Sequence, residues 1–367
     1  MTVTSQAAPM TRFPEPSETT APAPAEYRGI ARDQVRLLVG TGDGISHTRF
    51  RRIGEHLRPG DLVVVNTSAT LAGEVDGHSS RQGPVVVHVA TPLPDGTWVL
   101  ELRTSPAGAR PVLTAQPGDQ LVAAGITFTL LRAYPDEGSS PTGEGNRLWR
   151  GRPELPGSDS PLPRQQVRAA LDRFGRAISY GYLSRHYPLS AYQSVFARDP
   201  GSAEMASAAR PFTAELVAEL ATAGVLFAPV TLHTGLSSQE AGEAPQPERF
   251  EVPAATADLV NHVRRQRGRV IAVGTTVTRA LESAVGPDGL AHPAEGWTQR
   301  VVSVGDPPQV VDGLITGWHN PEASHLLLVE AVAGPELTQR AYDAAVAEGY
   351  LWHEFGDSAL LLPDSPR

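Results

Sequence analysis

At 367 residues the chain is longer than one hydrophobic core comfortably fills, so two domains are expected. Its 31 basic against 40 acidic residues give a net charge of −9, the wrong sign for blanket coating of nucleic acid, although a local basic patch stays open. All 31 basic residues are Arg, which excludes Schiff-base lysines, pyridoxal phosphate attachment and a P-loop lysine. Cys is 0, which excludes disulfides, thiolate nucleophiles and cysteine-ligated metals. With 40% hydrophobic and 19% charged residues the chain has material for real cores. No apolar run has the length of a membrane span and residues 1–25 lack the apolar stretch of a signal peptide, so a soluble, cytoplasmic protein is expected.

Residues 1–25 are crowded with Pro, Ala, Ser and Thr without a period, and read as a disordered leader. Val35–Val39 reads as a strand, His47–Leu57 as a short helical segment, and Leu62–Val65 as a strand after the turn Pro59-Gly60-Asp61, followed by an Asn66-Thr67-Ser68 loop. From about Thr70 to Arg150 the texture is of closely spaced strands, Val85–Val89, Thr97–Arg103, Gln120–Ala123 and Ile126–Leu131, with no helix between them. That pattern predicts a small barrel or sandwich, with a flexible Pro/Gly/Ser-rich loop at Glu137–Gly145.

After about Pro163 helix and strand alternate. Thr213 caps a predicted helix ended by Gly224, and Val225–Leu232 follows as a buried strand. A helix over Ala254–Gln266 precedes the strand Val270–Val273 and a helix from Thr276 to Ala284. A strand over Val310–Thr316 leads to Asn320 as N-cap, Pro321 and Glu322 in the first turn, and a helix to Ala333. This alternation predicts an α/β fold, a mixed or parallel sheet with helices on both faces, interrupted by a small β-barrel. The expected division is a leader over 1–25, a discontinuous α/β domain over 26–69 and 160–367, and a barrel domain over 70–159.

Ligands of such sheets bind at the carboxyl ends of the strands. The loops there are Thr231-Leu232-His233-Thr234-Gly235, Gly274-Thr275-Thr276 and Thr316-Gly317-Trp318-His319-Asn320-Pro321-Glu322. His233 and His319 supply groups able to move a proton near neutral pH. The competing explanations are structural: Thr276 and Asn320 also suit helix caps, Glu322 suits the helix dipole, and Arg279 suits either an anion clamp or a solvated helix surface. Arg264, Arg265, Arg267 and Arg269 read as a solvated helix end, and Arg49, Arg51 and Arg52 are ambiguous between surface and phosphate contact. The G-x-G-x-x-G, G-x-S-x-G and H-E-x-x-H patterns of nicotinamide dehydrogenases, serine hydrolases and zinc proteases are absent.

The stretch from Arg269 through Val273-Gly274-Thr275-Thr276 to Ala284 resembles the signature of the S-adenosylmethionine:tRNA ribosyltransferase-isomerase family of queuosine biosynthesis. Val230 to His233, Asp312 to Ser324, Ala191 to Phe196, Leu62 to Thr67 and the segment from Ala341-Tyr342 to Gly356-Asp357 are similar to it as well, in the right order. The resemblance implies an α/β domain interrupted by a β-barrel. It further implies transfer of the ribosyl moiety of S-adenosylmethionine to the aminomethyl group of a 7-deazaguanine in tRNA, with isomerisation to an epoxycyclopentane and release of adenine and methionine. It assigns catalysis to His233, His319 and Glu322, and the donor to Thr231, Gly274, Thr275, Thr276, Arg279, Thr316, Trp318 and Ser324. The acceptor falls to Asn66, Thr67, Arg210 and Phe212. S-adenosylmethionine is the co-substrate, no metal is required, and a monomer is expected.

Departures concentrate in loops. Where the family carries P-T-A-G-L-H-F, this chain has Ala206-Ser207-Ala208-Ala209-Arg210-Pro211-Phe212. Its H-x-M-H-x-E stretch corresponds to Glu243-Ala244-Pro245-Gln246-Pro247-Glu248, and Ser68 stands where the family has arginine. Such changes keep two alternatives open: the same donor chemistry on a small-molecule acceptor, and a non-catalytic protein that binds S-adenosylmethionine or a nucleoside.

Overall fold

The structure is a computed structural model, and it describes residues 8–14, 19–135, 144–155, 157, 160–180, 183–236, 246–321 and 323–363. In chain order the strands are β1 (Arg36–Thr41), β2 (Ile45–Arg49), β3 (Leu62–Asn66), β4 (Ser68–Thr70), β5 (Glu74–Ser79), β6 (Gly83–Pro92), β7 (Trp98–Thr104), β8 (Gln120–Ala123), β9 (Ile126–Ala133) and β10 (Leu148–Glu154). They continue with β11 (Asp199–Ser202), β12 (Leu226–Leu232), β13 (Glu248–Val252), β14 (Val270–Val273), β15 (Ala294–Thr298), β16 (Gly313–Thr316) and β17 (Ser358–Leu362). The helices are α1 (Arg164–Phe174), α2 (Ala214–Thr222), α3 (Ala254–Arg265), α4 (Thr275–Ser283), α5 (Ser324–Ala333) and α6 (Pro335–Ala347).

A 9-stranded sheet runs in the order β15-β13-β12-β3-β14-β16-β17-β1-β2. β12, β3, β14 and β16 are parallel neighbours, and β17 returns antiparallel to β16. These central strands are near-continuous apolar runs because both faces are covered. One face packs Val64, Ala272 and Leu314 against Val260, Val277, Leu326 and Tyr342. The other packs Val63, Ile271 and Ile315 against Phe50, Phe212 and Leu220. A closed barrel in the order β10-β7-β6-β5-β8-β9 leaves the chain after β4 and returns before α1, its lumen filled by Val87, Leu100, Phe128 and Trp149. The α/β sheet interrupted by a β-barrel that the sequence implied is therefore present.

Charge is also buried in the barrel region. His88 is bonded through Nδ1 to Glu101 at 2.9 Å and through Nε2 to Glu74 at 3.1 Å, all three fully buried. Burial opposes protonation of His88, but the two carboxylates overcome it and raise its pKa. Glu101 is pushed up by burial and pulled down further by His88, Arg147 and Arg103, to about 2.

Several local expectations need correction. The leader segments 8–14 and 19–25 are not free: Thr11 N donates to Glu330 at 2.6 Å, Phe13 lies 4.7 Å from the Tyr342 ring, and Ala21, Ala23 and Ala25 are buried. Small apolar residues spaced between prolines supply enough contact with α5, α6 and Trp352 to order these segments, which periodicity does not reveal. His47–Leu57 is strand β2 followed by a 3-10 turn over Phe50–His56, because Phe50 and Ile53 are the residues that reach the core. Asn320 is not the cap of α5, which begins at Ser324 after a turn closed by Ala323 N to Asn320 O.

Candidate active site

Parallel strands bring the ends of β12, β3, β14 and β16 to one edge of the sheet, so Leu232, Asn66, Val273 and Thr316 lie in adjacent rows. Asn66 ties three of these ends together. Its amide donates to Leu232 O at 2.8 Å and to Thr276 Oγ1 at 3.4 Å, while its carbonyl oxygen accepts from Leu232 N and Ser68 N at 3.0 Å each. The fourth end joins through Gly274 N to Ile315 O at 2.8 Å. Gly274 has φ +93°, where a side chain is strained, and a Cβ there would press on Ala208 at 3.3 Å. The turn so formed opens α4 directly off β14.

His233 continues β12 past the sheet edge, held by its own N–H to Arg249 O at 2.9 Å. Its Nδ1 lies 2.7 Å from Ser68 Oγ, which is itself 2.6 Å from Ser202 Oγ. Ser202 Oγ also accepts from Thr234 N at 3.0 Å. The ring rests on Gly201, where a methyl group would overlap it. Burial, then the nearby positive charges of Arg249 and Arg168, lower the His233 pKa to about 4 against the pull of Asp199. Thr67 Oγ1 and Thr231 Oγ1 are 2.8 Å apart beside it, and Thr67 also donates to Asp199 at 3.2 Å.

On the other side of β14, His319 Nε2 is 3.1 Å from Thr316 Oγ1, and its ring stacks on His325 at 4.9 Å and 7°. Burial first, then His325 and His353, hold His319 well below the ordinary imidazole value, and burial with Arg279 holds His325 at about 4. All three imidazoles are therefore neutral at pH 7. A small cleft opens nearby, lined by Ser207, Arg210, Gly317, His353, Asp357 and Ser358 among others.

Four assigned residues are placed by the structure in supporting contacts. Arg279 is nearly buried, its guanidinium paired with Glu248 and donating to the carbonyls of Arg300 and Gln246 at 3.2 Å each, so it fastens α4 to the Gln246–Glu248 segment instead of standing open to an anion. Burial keeps the Glu248 carboxyl above its ordinary value despite Arg279 and the bond from Gly235 N. Trp318 is turned into the core against Tyr342 and Tyr350, with centroids at 5.1 and 5.6 Å. Phe212 is fully buried between Phe50 and Phe196 and offers no face to an acceptor. Arg210 borders the cleft, but its guanidinium is held by Glu26 at 2.7 Å and Ala191 O at 2.8 Å, over the Phe355 ring. An apolar or cationic residue in a loop-like motif reads the same whether it faces a ligand or the core, and only packing separates the two.

Thr231, Thr275 and Thr276 remain half-buried at the sheet edge, whereas Thr316 is buried beneath His319 and the Asn66 side chain is wholly consumed in tying strands. Ser324 opens α5, and Glu322 lies outside the described residues. Sequence reasoning missed Ser202 and Gly201, which shape the His233 environment, and His325, which stacks on His319. Ser and Gly give no chemical signal in a sequence. Among the described residues no group of three or more His, Cys, Asp or Glu is arranged to hold a metal ion, and no helix is long and apolar enough to cross a membrane.

Residues 11–361 match the family described as queuosine biosynthesis protein. The S-adenosylmethionine:tRNA ribosyltransferase-isomerase of Acidiphilium cryptum is 33% identical over 363 residues, covering 94% of this chain and 96% of the relative. That of Gloeobacter violaceus is 34% identical over 356 residues, covering 95% of this chain and 94% of its own. The crystal structure of S-adenosylmethionine tRNA ribosyltransferase from Thermotoga maritima aligns with a TM-score of 0.51 and 25% identity, covering 95% of this chain and 99% of that one. With a site assembled from the same strand ends that carry the sequence signature, and with similarity along nearly its whole length, the chain belongs to the queuosine biosynthesis protein family.

Proposed function

We propose that this protein is an S-adenosylmethionine-dependent ribosyltransferase-isomerase acting on tRNA. It transfers the ribosyl moiety of S-adenosylmethionine to the aminomethyl group of a 7-deazaguanine, isomerises it, and releases adenine and methionine. The observation that supports this most strongly is the joining of the β12, β3 and β14 ends by Asn66, which makes one site of three separate motif loops.

The donor is read as lying over Gly274, Thr275 and Thr276, toward Thr316 and His319, where small residues let backbone N–H groups approach a ligand. Glu322 and Ser324 are assigned to the same side by resemblance alone. The sulfonium acidifies the adjacent ribose C5′ hydrogens, and a neutral imidazole accepts one without first losing a proton of its own. Both His233 and His319 meet that requirement. For His233, the bond between Nδ1 and Ser68 leaves Nε2 as the nitrogen for proton transfer. The acceptor is read as entering on the His233 side, past Thr67 and Thr231.

In this reading S-adenosylmethionine is consumed as a co-substrate, and the protein works as a cytoplasmic monomer. The test is His233→Asn and His319→Asn, each assayed for adenine release with tRNA bearing the aminomethyl-deazaguanine. Loss of turnover with retained donor binding is expected for the base, and full activity in both variants would remove proton transfer from these residues.

A further inference from the structure

The charges of two arginines, Arg249 and Arg168, reach His233, and a third arginine, Arg198, is tethered through its backbone to the neighbouring Thr67. Arg249 accepts the His233 N–H through its backbone carbonyl and directs an exposed side chain outward from β13. Arg198, also exposed, donates its backbone N–H to Thr67 O at 2.8 Å, next to Thr231. Arg168, on α1 beside the barrel, reaches Pro200 O at 3.5 Å, adjoining the Gly201 on which the His233 ring rests. Arg164 stands one turn earlier on the same helix, exposed, and donates to Leu93 O at 3.0 Å.

None of these four guanidiniums is paired with a carboxylate among the described residues, whereas Arg81, Arg152, Arg176, Arg269, Arg279 and Arg300 all are. Asp199, which follows Arg198 and accepts from Thr67, and Glu251, two residues beyond Arg249 on β13, stand near this group without forming an ion pair with it. In a chain of net charge −9, unpaired cations gathered at the mouth of one histidine form a local positive field. Arginine in this setting offers planar, bidentate donors that match phosphate oxygens.

We propose that Arg168, Arg198 and Arg249, with Arg164 behind them, form a phosphate-binding rim that seats the RNA backbone flanking the target nucleotide and presents its base to His233. This rests on the reading of the acceptor as tRNA and deepens it. The RNA side of the site is assigned to α1, β11 and β13, and the donor to the His319 side. The backbone enters across the seam between barrel and sheet, and Arg210, bound by Glu26, takes no part.

The test measures tRNA affinity of the full-length protein across a salt series for the wild type, for Arg249→Gln, and for the triple Arg168→Gln/Arg198→Gln/Arg249→Gln. Donor affinity is measured in parallel. Each phosphate contact contributes about 0.7 to 0.9 to the slope of log affinity against log salt. The triple variant is expected to lose about 2 from that slope and to bind tRNA at least tenfold more weakly at about 0.1 M salt, with donor affinity unchanged. Arg249→Gln, a single exposed change, is expected to lose just under 1, and decides the matter if the triple variant folds poorly. Wild-type slopes in both variants overturn the rim while leaving tRNA as acceptor. A wild-type protein that binds no tRNA overturns the acceptor reading and the rim together.

Discussion

The Ser68 hydroxyl lies 2.7 Å from Nδ1 of His233 and 2.6 Å from the Ser202 hydroxyl, so two serines from adjacent short strands fix the orientation of one imidazole. Ser68→Ala removes that restraint and leaves the ring on Gly201. With His233 rather than His319 as the base, a loss of about tenfold in turnover with unchanged donor affinity is expected, set against about 100-fold to 10,000-fold for His233→Asn, the range for removal of a general base. Equal losses in the two variants would mean that Ser68 does more than orient the ring.

Gly201→Ala tests the same imidazole from below. The added methyl overlaps the ring, so His233 must move. Misplacement of a reacting group by about 1 Å costs on the order of 100-fold in rate. Turnover should fall by about that factor and the overpacking should cost about 1 to 3 kcal/mol of stability, and an unaltered rate in the folded variant would show that the position of His233 is immaterial to the chemistry.

The pH dependence follows from the depressed imidazoles. His233 and His325 titrate at about 4 in the folded chain against an ordinary 6.5, and His319 also lies below it. Unfolding therefore takes up protons in that interval. Their contribution to stability is full above about pH 6.5 and is lost as pH falls toward 4. His88 has the opposite sign, because its raised pKa contributes stability at low pH that is lost as pH rises through the folded value. The rate should stay flat from neutral pH down to about 5, with no inflection near 6.5. Histidine side-chain NMR titration checks the individual values.

Phe212→Ala should act on stability and not on the acceptor. Phe212 is fully buried against Phe50 and Phe196, and deletion of such a ring costs about 3 to 5 kcal/mol. Urea unfolding reads the loss, and acceptor saturation at a temperature where the variant is folded should match the wild type.

Arg279 and Glu248 form a nearly buried pair, and removing one partner strands the other. Arg279→Ala and Glu248→Ala should each cost about 3 kcal/mol or more by urea unfolding. The double variant should cost less than the sum of the two, and additivity would show that the pair is not coupled.

Much of the sheet was legible because its central strands are apolar runs punctuated by Gly and Pro: Val270–Val273 has the extent that the sequence implies, and β12 and α4 differ from expectation by a residue or so. The barrel followed from strands with no helix between them. His233 and His319 were legible as polar groups ending apolar strands. The burial of Arg210, Trp318 and Phe212 was not legible, since motif position does not record whether a side chain turns to the cleft or the core. The order of residues 19–25 was not legible for a related reason: Ala21, Ala23 and Ala25 pack individually, without a period.

The most direct test of the central claim is to incubate the purified protein with S-adenosylmethionine, with and without tRNA bearing the aminomethyl-deazaguanine, and to follow adenine, methionine and tRNA mass together. The account predicts tRNA-dependent release of both products with a gain in tRNA mass equal to the transferred ribosyl-derived group. Donor binding with no change in tRNA mass would contradict it.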